Sequence, residues 1–256
     1  MLSSRSVSSK SRRAFLVTSG VSGAALLVGC RPSDTTMPDP TRPVRTTSAE
    51  MKSVAGADKK PQVTATEDLM REHGVIRRAL VVYRESAQRL RAKPAGVPLD
   101  ALQNTAKLLR SFAEDYHEKK LEEAYLFPAV KRGGGPAAGL VDTLIAQHDR
   151  GREITEYVMA VTAAGVASSE VLARALEGFA RMYEEHAALE DTIVFPAWKK
   201  TMSAKELDEI GDRFEDIEHQ TFGKDGFDDA VDRIATIELA FGLGLGQFTP
   251  PPPPKV

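Results

Sequence analysis

Four histidines of this chain, His73, His117, His148 and His186, stand where helical periodicity expects a buried aliphatic residue. Acidic residues follow two of them at near-helical spacing, Glu122 five after His117 and Glu190 four after His186, and Glu118 stands directly after His117. Imidazole and carboxylate groups converging inside a helical core form a ligand set suited to iron, manganese or zinc. A carboxylate stripped of water with no partner costs several kcal/mol, more than a neighbouring aliphatic residue returns. Glu190, which its helical pattern points inward, therefore needs a compensating charge. One histidine on an apolar face is usually a core residue with satisfied hydrogen bonds. Four, one on each of four stripes and two of them joined by acids, fit that reading poorly. A mononuclear zinc site takes about four ligands, fewer than this set offers, whereas two carboxylates would bridge a pair of divalent ions.

The elements that must position these groups are helical throughout, with no convincing strand signal. Leu69, His73, Ile76, Leu80, Tyr83, Ala87 and Leu90 form the first stripe, with Thr66 as its expected N-cap and Pro94 as its stop. The second helix starts near Pro98 and runs through Leu102, Ala106, Leu109, Ala113, Tyr116 and His117 to Phe127, before Gly133-Gly134-Gly135-Pro136 breaks the chain. Val141, Leu144, Ile145, His148, Thr155 and Met159 mark the third, and a Gly/Ala/Ser stretch from Gly165 to Ser169 ends it. Leu172, Leu176, Phe179, Tyr183, His186, Glu190 and Ile193 mark the fourth. Long amphipathic helices with short connections favour an all-α fold, an antiparallel four-helix bundle. The segments from Ala204 to Gly223 and Phe227 to Phe241 are expected as additional C-terminal helices packed outside it. Their stripe of Leu207, Ile210, Phe214 and Ile217 leaves His219 on the far side, as a surface residue. Tyr83, Tyr116, Tyr125 and Tyr183 either line the site or belong to the core, and Lys119, Lys120 and Glu123 read as a solvated face.

Two stretches resemble each other: YHEKKLEEAYLFP from Tyr116 to Pro128, and EEHAALEDTIVFP from Glu184 to Pro196. With His73 in REHGVIRR and His148 in QHD, they make residues Thr66 to Trp198 resemble the hemerythrin-like proteins, or HHE cation-binding domains. That resemblance implies a bridged di-iron centre inside the bundle, with His73, His117, Glu122, His148, His186 and Glu190 as ligands and Glu122 and Glu190 as bridges. It favours two iron ions over manganese or zinc. It also implies a protein that binds or senses dioxygen, another small oxidant or iron, and the alternative is a di-iron redox enzyme acting on peroxide or nitric oxide. Two departures from the family's pattern stand out. Arg152 occupies the position four residues after His148 where oxygen carriers place a further histidine. His117 and Glu122 are five residues apart, about 140° around an ideal helix, whereas His186 and Glu190 are four apart. Either Glu118 supplies the missing ligand or a π-bulge swings Glu122 back; both are expected, so that His117, Glu118 and Glu122 all reach the metals, giving four histidines and three glutamates.

At the other end of the chain, Ser11-Arg12-Arg13-Ala14-Phe15-Leu16 opens an apolar run that closes on Leu27-Val28-Gly29-Cys30. This is a twin-arginine export pattern followed by a lipobox. The run is short and rich in Gly and Ser for a membrane span. Cys30 is the only cysteine, which excludes an intramolecular disulfide and marks it as the lipidation site. Acyl chains there would hold an exported protein to a membrane at its extracytoplasmic side, at about 0.8 kcal/mol per buried methylene. The first 30 residues carry four basic groups and no acid, leaving 30 basic against 36 acidic groups. That balance gives no footprint for nucleic acid. The expected organisation is a signal peptide over residues 1–30, a Pro/Thr/Ser-rich tether over 31–65, the bundle over 66–200, a helical extension over 201–246 and a Pro-rich tail over 247–256.

Overall fold

A computed structural model describes residues 63–165 and 169–254; the twin-arginine pattern, the lipobox with Cys30 and the tether up to residue 62 lie outside the described residues. Within them the secondary structure is helical, without strands, and no helix is long and apolar enough to cross a membrane. The first helix, α1 (Ala65–Ala92), begins two residues earlier than expected. Thr64, not Thr66, is its N-cap, because only Thr64 has a glutamate three residues on to close a capping box, with Glu67. The second rod runs from α2 (Leu99–Leu108) through a π-helical segment (Leu109–Leu126) into α3 (Phe127–Gly133). A short α4 (Gly135–Ala138) leads to α5 (Val141–Ala164). The fourth rod is α6 (Ser169–Leu189), a second π segment (Glu190–Val194) and α7 (Phe195–Lys199).

Cross-helix contacts fix an antiparallel arrangement. Along α1 and the fourth rod, Arg77 pairs with Asp191, Arg84 with Glu184, and Arg91 with Glu177, so ascending numbers on one meet descending numbers on the other. The last two pairs are exposed, where solvent screening leaves an ion pair little energy; they set register more than stability. The same inversion joins the second rod to α5, where Glu123 meets His148 and Glu118 meets Arg152, and α5 to α6, where Gln147 meets His186. Between these rods lies a core that includes Leu69, Leu80, Phe112, Leu144, Leu176 and Phe179.

Both π segments precede a proline. The N–H of Phe127 bonds the carbonyl of Glu122, and the N–H of Phe195 bonds that of Glu190, each five residues back. Pro128 and Pro196 follow directly. A proline inside a helix clashes with the carbonyl four residues before it, and a widened turn is one of the recognised ways a helix absorbs such a residue. The second π segment also overturns one expectation: Ile193 is 39% exposed and Val194 is buried in its place, because the inserted residue shifts the buried stripe by one.

The C-terminal helices α8 (Ala204–Phe222) and α9 (Gly226–Phe241) both pack against α1 and the second rod. Phe214 of α8 stacks on Trp198 with ring centroids 5.9 Å apart, and Phe222 stands edge-on to Tyr116 at 5.1 Å. Burying a side chain such as Phe214 contributes about 1.5–3 kcal/mol. Glu238 of α9 accepts two hydrogen bonds from the Arg78 guanidinium at 2.8 and 2.6 Å. Residues 250–254 of the Pro-rich tail are exposed and without regular structure.

Candidate metal centre

The π segment resolves the unequal spacing of the two related stretches. A helix hydrogen-bonded from i to i+5 brings residues five apart onto one face, so His117 and Glu122 converge: His117 Nε2 lies 3.4 Å from Glu122 Oε1. In the fourth rod the π segment begins only at Glu190, which leaves His186 and Glu190 on α geometry at the usual four-residue step, 3.0 Å apart. His73 Nε2 from α1 approaches Glu190 Oε2 at 3.4 Å, and His148 Nε2 from α5 approaches Glu122 Oε2 at 3.4 Å. The Nε2 atoms of His148 and His186 are 3.1 Å apart. All six residues are buried. Their ligand atoms form two groups within 4.8 Å, one of His73, His117 and Glu122 and the other of Glu122, His148, His186 and Glu190.

Each imidazole is held from behind. His73 Nδ1 meets Asp191 at 2.7 Å, His117 Nδ1 meets Glu72 at 2.7 Å, His148 Nδ1 meets Glu123 at 2.8 Å and His186 Nδ1 meets Gln147 at 2.9 Å. All four partners present acceptor oxygens, so each Nδ1 carries the proton and each Nε2 turns a lone pair inward. Lone pairs facing carboxylate oxygens at 3.0–3.4 Å repel unless a proton or a cation lies between them. His117 Nε2 and both carboxylate oxygens of Glu122 and of Glu190 make no hydrogen bond among the described residues, and a buried polar atom left so is costly. The donor set fits a cation pair: two imidazoles on each side, two carboxylates between them, and an acceptor behind every ring to fix its tautomer and raise its basicity.

The electrostatics say the same. Burial alone would lower the pKa of His148, but the carboxylates of Glu118, Glu122 and Glu123 outweigh it and push the ring up to about 10. His117 is likewise driven well above its ordinary value against burial, by Glu122 and Glu72. Burial raises the pKa of Glu190, yet His186 and His73 hold it below the usual carboxylate range.

Four positions that the sequence pattern did not single out as positioning groups, Glu72, Glu123, Gln147 and Asp191, prove to be these outer partners. They obey a pseudo-two-fold rule. The second acid of each acidic pair, Glu123 or Asp191, accepts from the histidine at the start of the other hairpin. An arginine four residues after that histidine, Arg152 or Arg77, pairs with the same acid. The residue just before that histidine, Gln147 or Glu72, accepts from the histidine of its own hairpin's second rod. Glu123 is thus a half-buried structural group, not part of a solvated face, while Lys119 and Lys120 are exposed as expected. The signal was present in the doubled acids and in the repeated His-x-x-x-Arg spacing.

Glu118 stands apart from the two central groups. Its Oε1 accepts from the Tyr183 hydroxyl, and its Oε2 accepts from Arg152 at 3.0 Å. It faces the outer nitrogen of His148, Nδ1, at 3.9 Å. Arg152, where a further histidine would sit in an oxygen carrier, thus draws Glu118 and Glu123 together. Gly151 makes room for this: a Cβ there would lie 2.6 Å from the Tyr183 hydroxyl oxygen. Tyr116 donates to Glu72 at 3.1 Å, whereas the Tyr83 hydroxyl is buried without a hydrogen-bond partner among the described residues. Tyr125 lines an outer cleft of about 630 Å³ with Trp198 and Ile210. His219 is half-buried on α8, outside the cluster.

A four-helix bundle with two buried His/Glu groups sharing a carboxylate defines a cation-binding helical protein. Residues 64–198 match the hemerythrin HHE cation binding domain, and the chain belongs to that family. It is 45% identical over 193 residues to uncharacterized proteins of Mycobacterium tuberculosis and Mycobacterium bovis, covering 73% of this chain and 74% of theirs. No solved structure matches the chain.

Proposed function

We propose that the chain binds a bridged pair of iron ions and through it binds or senses dioxygen or a related small oxidant. The carrying observation is the inward set of four Nε2 atoms against two carboxylates, with every Nδ1 anchored outside. In this reading His73 and His117 would hold one ion and His148 and His186 the other, with Glu122 and Glu190 as the carboxylates they would share. Glu118 serves as an outer group tied to Arg152 and Tyr183. When bound, iron supplies one-electron chemistry toward dioxygen. The chain's own part is to fix the rings, exclude water and surround the centre with apolar residues. Phe195 stacks on His73 with centroids 5.3 Å apart and Phe127 on His148 at 5.5 Å; such walls limit solvent at a metal site.

We further infer from Arg12-Arg13 and the lipobox ending at Cys30 that the protein is exported folded and lipid-anchored, with a tether from residue 31 that ends before Val63, since Thr64 already caps the first helix of the cation-binding body. The pathway's capacity for folded cargo suits a protein that acquires metal before export. Labelling of a Cys30→Ala variant with a radioactive fatty acid would test this, since the wild-type chain should incorporate label and the variant none.

The function is tested by anaerobic loading with ferrous iron and absorption spectra before and after oxygen. A charge-transfer band that appears with oxygen and disappears on its removal supports binding or sensing. Steady consumption of peroxide or nitric oxide, lost in His186→Ala, would replace this reading with the redox enzyme.

A further inference from the structure

The pseudo-two-fold pattern of the outer partners is broken chemically at one pair of equivalent positions. Asp191 and Glu123 correspond, each a carboxylate shared between a histidine and an arginine. Glu72 and Gln147 also correspond, each one residue before a histidine of the first or third helix. Glu72 is a carboxylate and Gln147 a neutral amide, although both accept from an imidazole Nδ1–H at nearly the same distance, 2.7 and 2.9 Å.

A carboxylate behind an imidazole makes the ring a stronger donor at its other nitrogen than an amide oxygen does, because it stabilises the positive charge that the ring acquires on ligation. Glu72 is buried, and Gln147 only half-buried, so the charge of Glu72 acts through a medium of lower effective dielectric. The Tyr116 hydroxyl also donates to Glu72, at 3.1 Å. Glu118 brings a carboxylate near the other half, but its oxygens are taken by the Arg152 guanidinium and the Tyr183 hydroxyl, and it does not bond the ring of His186.

We propose that Glu72 and Gln147 make the two halves of the centre unequal, so that His73 and His117 take a cation first and hold it more tightly than His148 and His186. Glu72 is a positioning and charge-setting residue for His117, and Gln147 its weaker counterpart for His186. The inference rests on the metal reading above and adds an order of filling to it.

The test is anaerobic titration of the metal-free full chain with ferrous iron, with affinities read by chelator competition. Two steps are expected, separated by about 10–100-fold in dissociation constant, the usual effect of an outer partner on a metal site. Glu72→Gln should bring the steps together by weakening the tighter one, and Gln147→Glu should do so by strengthening the weaker one. The double swap should restore two steps in reversed order, read from the anomalous scattering of crystals loaded with a single equivalent. Neither exchange changes side-chain size, and the gain in Gln147→Glu cannot come from misfolding. Two indistinguishable steps in the wild type, or an unchanged gap in both single variants, would overturn the inference alone. No bound iron at all would overturn the metal reading and this inference with it.

Discussion

At the scale of single residues, the chemistry of the site depends as much on what stands behind each imidazole as on the imidazoles themselves. Asp191 and Glu123 fix His73 and His148. Asp191→Asn and Glu123→Gln should each weaken metal binding by about 10–100-fold, measured by chelator competition, whereas Lys119→Ala on the exposed face should leave it unchanged. That His73, His117, Glu122, His148, His186 and Glu190 meet inside the core was legible in sequence, because a histidine or glutamate on an apolar stripe has no inexpensive alternative; Glu118, expected beside them, is turned to Arg152 and Tyr183 instead. Their partners were not, because an acid next to a ligand reads equally well as a solvated charge until the facing helix is known. Glu114 is a separate case. Burial pushes its carboxyl up to about 7, with Thr155, Arg110 and Arg152 opposing and Glu118 adding to the rise. The folded chain therefore holds this proton after the unfolded chain has lost it, so the stability it contributes is full below the ordinary carboxylate range and disappears as pH approaches 7. Glu114→Gln should remove that slope, raising stability at pH 8 relative to the wild type by on the order of 2–3 kcal/mol and changing little at pH 4. Denaturant unfolding at both pH values checks this, and parallel pH profiles for the two proteins would contradict it.

At the scale of elements, the two related stretches place equivalent groups by different helix geometry. The first π segment spans His117 to Glu122, and the second starts at Glu190. Deleting the exposed Lys119 should therefore convert the first stretch to the four-residue spacing of the second and retain metal, because α geometry then does what the wider turn did. Deleting Ala188, in α geometry with no widened turn to absorb the loss, rotates Glu190 and all that follows by about 100° against His186 and should lose it. Iron per chain after gel filtration distinguishes them, and metal loss in both deletions would refute the geometric argument. The five-residue spacing announced the π segment, and the Phe-Pro pairs marked where each ends. Ile193 was misplaced because a regular 3.6-residue lattice had been carried through a bulge. Thr66 was misplaced because the capping-box glutamate belongs to Thr64.

At the scale of the whole molecule, an antiparallel bundle of two helical hairpins brings four histidines from four rods to one level, and α8 and α9 pack against it through Trp198, Phe214, Phe222 and the Arg78–Glu238 pair. Periodicity and short connections disclosed that architecture, since amphipathic helices of this length have few ways to bury their stripes. They did not disclose where each added helix packs, because that depends on aromatic contacts between segments far apart in sequence. The central claim is that this architecture encloses a pair of cations sharing Glu122 and Glu190. Crystals of the iron-loaded protein, measured on both sides of the iron absorption edge, test it most directly. The account predicts two anomalous peaks, one between His73 and His117 and one between His148 and His186, with both carboxylates between them. A single peak, or peaks only at surface acids, would contradict it.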